Sequence, residues 1–428
     1  MQKVLIVAYY WPPAGGPGVQ RWLKFVNYLP EFGVTPIVFV PKNARYPIED
    51  PSLMDQIPPK QKVIQHPIAE PYKLAALFSG KKTRKISSGI ISPARKQSFL
   101  EQMFLWIRGN IFIPDARKFW VKPAVSRLEK IIKNENISTV ITTGPPHSIH
   151  LIGLRLKKKL NVHWLADFRD PWTSIGYHKK LRLTAAARKK HKYLERIVLQ
   201  SADQIVVTSS TTKEEFAGLT SRPIQVITNG YDTERYAVAL DKKFTLSHIG
   251  SLLTDRNPRL LWEVLSELVK EHPAIAKTLQ IQLVGVVGEE VINTLKAIGL
   301  EQYVTKVGYL PHDQVLEYQW KSQILLLLEI DSRETQGIIP GKLFEYLNAG
   351  RPILAIGPVG WEAGKMVAEL EAGVHIRNTE KEPLKKVLLA WFQKFQKEAL
   401  TVQMKNTASY HRRELTKQLA NLLQWESS

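Results

Sequence analysis

Eleven short apolar runs, flanked by glycine, proline or asparagine and separated by segments of helical pattern, constrain this 428-residue chain more than any other feature. In the first half they are Lys3–Ala8, Pro36–Val40, Val140–Thr143, Val162–Ala166, Gln204–Thr208 and Ile224–Thr228. In the second half they are Thr245–His248, Ile281–Val284, Thr305–Val307, Ile324–Glu329 and Pro352–Ile356. Each has strand length and most do not alternate, which is the pattern of strands buried on both faces. Between them lie helical stripes. Gln20–Leu29 carries Trp22, Leu23, Phe25, Val26 and Leu29, and Pro258–Val269 opens on a proline suited to a first helical position. Gly341–Asn348 stops at Ala349-Gly350.

Alternation of this kind builds parallel, doubly wound sheets. It occurs twice, on either side of the polar, turn-rich stretch Thr228–Phe244. The expected fold is therefore α/β, with two Rossmann-like doubly wound domains and a ligand cleft between them, since such sheets bind at the carboxyl ends of their strands. The boundaries read as a first domain over 1–228, a linker over 229–243, a second domain over 244–399 and a helical segment over 400–428.

Composition narrows the chemistry. There is no cysteine, so disulfides, thiolate metal sites and cysteine nucleophiles are excluded. Residues 1–225 hold 36 Lys and Arg against 15 Asp and Glu, whereas 226–428 hold 24 of each. The whole excess of +21 thus lies in the first half, which is expected to meet something anionic. The opening segment MQKVLIVAYYWPP is too short for a signal-peptide core and reads as a first strand. No run reaches the roughly 18 apolar residues of a membrane span.

Five loops at predicted strand ends carry the candidate chemistry. Trp11-Pro12-Pro13-Ala14-Gly15-Gly16-Pro17-Gly18 follows the first strand, and its glycines allow close backbone approach ahead of a helix start suited to an anion, or simply make a tight turn. Thr142-Thr143-Gly144-Pro145-Pro146-His147-Ser148 places His147 at a helix opening, either to meet a sugar or phosphate or to cap the helix. Ala166-Asp167-Phe168-Arg169-Asp170-Pro171-Trp172 sets Asp167 and Asp170 about Arg169, as a structural ion pair or for acceptor binding and base work. His248-Ile249-Gly250-Ser251 leads to Arg256, a guanidinium near a helix start and well placed for a diphosphate, or else a solvated loop residue. In Gly341-Lys342-Leu343-Phe344-Glu345-Tyr346, Lys342 and Glu345 share a face in the first turns of a helix, as a phosphate and ribose clamp or as a surface ion pair.

The stretch from Pro340 to Ala355 resembles the signature of the C-terminal domain of GT-B glycosyltransferases, family 4-like, of the bacterial envelope polysaccharide and lipopolysaccharide type. The resemblance extends to the Gly-Gly loop, Pro-Pro-His-Ser, Asp-Phe-Arg-Asp-Pro-Trp, Asn229-Gly230-Tyr231-Asp232 and the His-Ile-Gly-Ser loop. It implies transfer of a sugar from a nucleotide-diphosphate donor by a retaining mechanism that uses no metal or other cofactor. Gly15, Gly16, Gly250, Arg256, Gly341, Lys342, Leu343 and Glu345 would bind the donor, Glu345 on the ribose and Lys342 with Arg256 on the diphosphate. His147, Asp167, Arg169 and Asp170 would form the catalytic group, and the last helix would cross back to the first domain. One departure is Gly337, where the family often carries a second glutamate; Glu334 lies nearby. It leaves open donor-sugar identity and retention, and two alternatives of the same architecture: a nucleotide-sugar epimerase and an inactive scaffold.

The partners expected are a nucleotide-sugar donor, a lipid-linked or glycan acceptor and an anionic membrane surface, with the protein in the cytoplasm and peripheral on the inner face of the plasma membrane. Lys179, Lys180, Arg182, Arg188, Lys189, Lys190 and Lys192, with no acid over 171–194, carry the membrane expectation. Lys81, Lys82, Arg84 and Lys85 and the aromatics Phe104, Trp106, Phe112, Phe119 and Trp120 join them. Nucleic acid is not expected, because no nucleic-acid motif accompanies the charge.

Overall fold

A computed structural model describes residues 1–68, 99–179, 181–232 and 237–424. The chain divides into two compact units, one of Met1–Ile91, Arg95–Asn229 and Arg412–Ser428, the other built on Gly230–His411.

The first unit holds a seven-stranded parallel sheet of order β3-β2-β1-β4-β5-β6-β7. Its strands are β1 (Gln2–Val7), β2 (Val34–Lys42), β3 (Lys62–Pro67), β4 (Thr139–Gly144), β5 (His163–Phe168), β6 (Gln204–Val207) and β7 (Ile224–Val226). Val4, Leu5, Ile6 and Val7 are all fully buried, as a run without alternation demands when helices cover both faces. One face packs on the helices Pro17–Tyr28 and Arg412–Leu423, the other on Lys118–Glu135 and Ser148–Leu160. The last helix seats Leu415, Leu419 and Leu423 against a core that includes Trp22 and Val26, and Nε2 of Gln2 donates to the Leu423 carbonyl (2.9 Å). Each such leucine contributes about 1.5–3 kcal/mol on burial.

The second unit repeats the plan with six parallel strands ordered β10-β9-β8-β11-β12-β13. They are β8 (Phe244–Ile249), β9 (Leu279–Val284), β10 (Val304–Gly308), β11 (Ile324–Leu328), β12 (Ile353–Ile356) and β13 (Gly373–Ile376). Hydrophobic clusters fill both faces of this sheet as well. The expected pair of Rossmann-like doubly wound sheets is present. In each, the strand order reverses beside the first strand, between β1 and β4 and between β8 and β11, which leaves a crevice at those strands' carboxyl ends.

Two strands escape the run criterion, β3 and β13. Both lie at sheet edges and are half exposed, so neither needs an unbroken apolar run. Pro258 precedes the helix Arg259–Glu271 at its cap rather than opening its first turn. Among the described residues no helix is long and apolar enough to cross a membrane.

Candidate functional site

The crevice of the second unit gathers the residues of two predicted loops. The helix Lys342–Ala349 begins there, and Tyr346 fastens it to the sheet: Ile249 N donates to Tyr346 Oη (3.2 Å), which donates to the Leu326 carbonyl (3.4 Å). One hydroxyl thereby joins the end of β8 to the middle of β11, the two strands of the switch point. Lys342 Nζ donates to the Ile249 carbonyl (3.0 Å) and stands 3.4 Å from Nε2 of fully buried His248. Gly250 turns the chain at φ +106°, a conformation that a side chain would strain, and the point where its Cβ would sit lies 3.8 Å from Lys342 Nζ.

Burial, and then the charge of Arg256, push the Lys342 ammonium down to about 7, against the opposing pull of Glu329 and Glu345. Burial and the same ammonium hold His248 well below its ordinary range. The i,i+3 surface ion pair is not what forms. Glu345 instead accepts from Gln319 Nε2 at its Oε2 (2.7 Å), and Lys342 points to the β8 end.

Arg256 is neither free nor simply solvated. Its Nε and Nη2 bind Glu329 Oε1 and Oε2 at 2.9 and 3.2 Å, and the carboxylate is fully buried while the arginine side chain is 37% exposed. Glu329 also accepts from Ile330 N (2.9 Å). Sequence reasoning does not single out Glu329, the last residue of the apolar run Ile324–Glu329; a charged residue closing such a run at a carboxyl end is the available signal. Leu343 corrects a donor-binding expectation. Its side chain lies in the core and its N–H donates to the Pro340 carbonyl (2.9 Å), so neither is offered to a ligand. Gly341 precedes the helix as its cap residue. Glu334 is exposed, and the Gln336–Gly337 turn is held by Glu362 N donating to the Gln336 carbonyl (2.8 Å).

The crevice of the first unit is organised by Arg169. Its backbone N and Nε donate to the Gly144 carbonyl (3.1 and 3.2 Å), and its Nη2 donates to the Pro145 carbonyl. Nη1 lies over the first turn of the Pro17–Tyr28 helix, where a methyl at Gly18 would come within 1.5 Å of it. A side chain at Gly18 would therefore displace the Arg169 guanidinium from this position. Gly15 N donates to the Ile48 carbonyl (3.0 Å), and Gly16 caps that helix.

His147 opens the helix Ser148–Leu160 without capping it through its ring. Asp115 caps instead, accepting from Ser148 N (2.9 Å) and Ser148 Oγ (2.8 Å). The imidazole is 4% exposed and stacks on Trp172 (5.0 Å, 4° between planes), and neither ring nitrogen has a hydrogen-bond partner among the described residues. Burial, then neighbouring His150 and Arg169, hold it well below its ordinary range, so the ring is neutral.

Asp167 corrects a second expectation. It is buried, with Oδ1 accepting from Arg21 Nη2 (3.2 Å) and Oδ2 from Trp22 Nε1 and Thr143 Oγ1 (both 2.8 Å). Those bonds occupy it as a structural hub joining β4, β5 and the Pro17–Tyr28 helix. Asp170 is half-buried, and burial pushes its carboxyl up while Arg169 opposes. Among the described residues no group of three or more His, Asp or Glu is gathered as a metal would require.

Residues 81–235 match the model of Glycosyltransferase Family 4. Solved structures resemble the whole chain. Sucrose-phosphate synthase from Thermosynechococcus elongatus is 14% identical, with a TM-score of 0.64 over 99% of this chain and 98% of that one. HepE from Anabaena, in complex with UDP-glucose, is 13% identical, with a TM-score of 0.58 over 99% of each chain. WaaG, a glycosyltransferase involved in lipopolysaccharide biosynthesis, is 13% identical, with a TM-score of 0.55 over 99% of this chain and 100% of that one. No curated protein sequence matches.

Proposed function

We propose that this chain, a glycosyltransferase of the GT-B type by its family-model match and its two doubly wound sheets, moves a sugar from a nucleotide-diphosphate donor to a lipid-linked or polysaccharide acceptor of envelope glycan synthesis. Transfer proceeds with retention and without a metal, at the cytoplasmic face of the plasma membrane. The observation that carries the reading is the cluster at the β8–β11 switch point: Lys342, Arg256 and Glu345 beside Gly250, at the start of a helix.

As the sugar departs, negative charge builds on the diphosphate. Lys342 and Arg256 neutralise it from fixed positions, the kind of preorganised electrostatic term that dominates such barriers. Glu345 keeps Oε1 for the ribose hydroxyls while Gln319 steadies Oε2. In the first unit, Arg169, neutral His147 and Asp170 engage the transferring sugar and the acceptor. HepE in complex with UDP-glucose and WaaG in lipopolysaccharide biosynthesis support the donor and acceptor classes.

A thermal-shift screen of UDP, GDP and their sugars identifies the donor. With it, Lys342→Ala and Glu345→Ala each cut turnover by about tenfold or more, roughly 1.4 kcal/mol. Unchanged turnover in both variants removes the site assignment. Product analysis with an acceptor panel separates transfer from epimerisation, and the anomeric configuration of the product reports retention.

A further inference from the structure

A cavity of about 230 Å³ opens on the first unit, with Asn110, Ile111, Lys118, Thr184, Ala186 and Lys190 in its wall. Two helices carry stripes into it. On Phe99–Asn110, Met103, Trp106 and Asn110 follow helical spacing; on Ala185–Ser201, Ala186, Lys190 and Tyr193 do the same. The apolar members of these stripes face solvent. Met103 is 39% exposed, Trp106 41% and Tyr193 61%, and Ile111 (52%) and Phe119 (50%) are exposed as well. Of these, Ile111 lines the cavity itself, Phe119 lies under the lining Lys118, and Trp106 is one turn before the lining Asn110, so exposed apolar side chains gather beside a basic cavity, as at an interaction surface.

The cavity's charges have one sign. Lys118 and Lys190 both line it and no carboxylate does. Lys118 Nζ donates to the Ile111 carbonyl (2.6 Å) and lies over the Phe112 and Phe119 rings (5.7 and 5.3 Å). Burial and then Lys190 push this ammonium down, with Asp115 opposing. Asp115 is itself engaged in capping Ser148. Exposed Lys189 adds a further ammonium beside this stripe on the same helix. Trp120 does not belong to it, being fully buried in the core, and Lys81, Lys82, Arg84, Lys85 and Lys180 lie outside the described residues.

We propose that this face docks on an anionic phospholipid bilayer, with Trp106, Ile111, Phe119 and Tyr193 entering the interface and a lipid phosphate seated between Lys118 and Lys190. Aromatic side chains with an apolar body and a polar tip suit the headgroup layer, and the two ammoniums supply the complementary charge. The inference deepens the reading of a membrane-side acceptor and rests on it.

The test is co-sedimentation of the full chain with phosphatidylcholine vesicles, with and without phosphatidylglycerol. The unaltered chain binds the anionic vesicles and not the neutral ones. Lys118→Gln with Lys190→Gln lowers binding about thirtyfold, as about 1 kcal/mol per basic residue implies. Trp106→Ala with Phe119→Ala lowers it by about tenfold or more through lost apolar burial. Lys277→Gln with Lys296→Gln, on exposed positions of the second unit, leaves it unchanged. Equal binding to both vesicle types, or either first-unit pair matching the unaltered chain, overturns the inference. Displacement from the vesicles by soluble glycerol phosphate also overturns it, since the cavity would then take a free phosphate ester. Nucleotide-sugar binding, followed by thermal shift, is unaffected by the first-unit pairs; its complete absence in the unaltered chain instead marks failure of the donor reading.

Discussion

If Lys342 grips the donor diphosphate as an ammonium, donor affinity depends on pH near neutrality. Buried beside Arg256, its ammonium is pushed down to about 7, so the free site loses its charge as pH rises through that value. A bound diphosphate favours the charged form and raises the bound-state value, and binding therefore takes up a proton. Affinity is fully present below about pH 7 and falls by up to tenfold for each further unit, about 1.4 kcal/mol per unit, until the bound-state value is reached. Between about pH 6 and about pH 8 the dissociation constant rises about tenfold.

Folding stability follows the other sign of the same shift. Between about 7 in the folded chain and about 10.4 unfolded, the unfolded state binds more protons, so this lysine's contribution makes stability rise with pH in that window. The assay is calorimetry with a nucleotide sugar, whose diphosphate is esterified at both ends and lacks the terminal phosphate proton that titrates near about pH 6. Repeating it in buffers of different ionisation enthalpy counts the proton directly. A flat affinity over this range, or the same slope in Lys342→Gln, refutes the reasoning.

Glu329→Gln removes the carboxylate that raises Lys342, so the pH midpoint of donor binding moves to more acidic values, read from the same profile. An unmoved midpoint detaches Glu329 from the donor site. Asp167→Ala leaves the Arg21 guanidinium, itself 3% exposed, without its counter-charge and costs about 3–5 kcal/mol, measured by urea unfolding of the full chain. Nucleotide-sugar affinity at fixed pH is unchanged in this variant, because the aspartate belongs to the first unit's core.

The candidate site was legible to different depths. The loops at the ends of β1, β4, β5 and β8, and the Lys342–Ala349 helix, were visible because glycine, proline and charge interrupt apolar runs there. Which partner each side chain takes was not. Asp167 and Asp170 look alike in sequence, three residues apart after one strand. Only packing makes the first a buried acceptor for Arg21, Trp22 and Thr143 and leaves the second half-buried. Arg256 and Glu329 are likewise joined by the β8–β11 neighbourhood, which no local pattern announces.

By itself, the sequence determined that parallel strands would be buried on both faces and that the alternation would occur twice, because burying a run of Val, Ile and Leu leaves few alternatives to a covered sheet. It also marked the loops that end β1, β4, β5 and β8. Tertiary structure alone decided the strand order, the side chains through which the last helix meets Trp22 and Val26, and the pairing of Glu329 with Arg256. These depend on contacts between residues far apart in the chain, whose free energy comes from shape and desolvation at the meeting point and not from any residue's own neighbours.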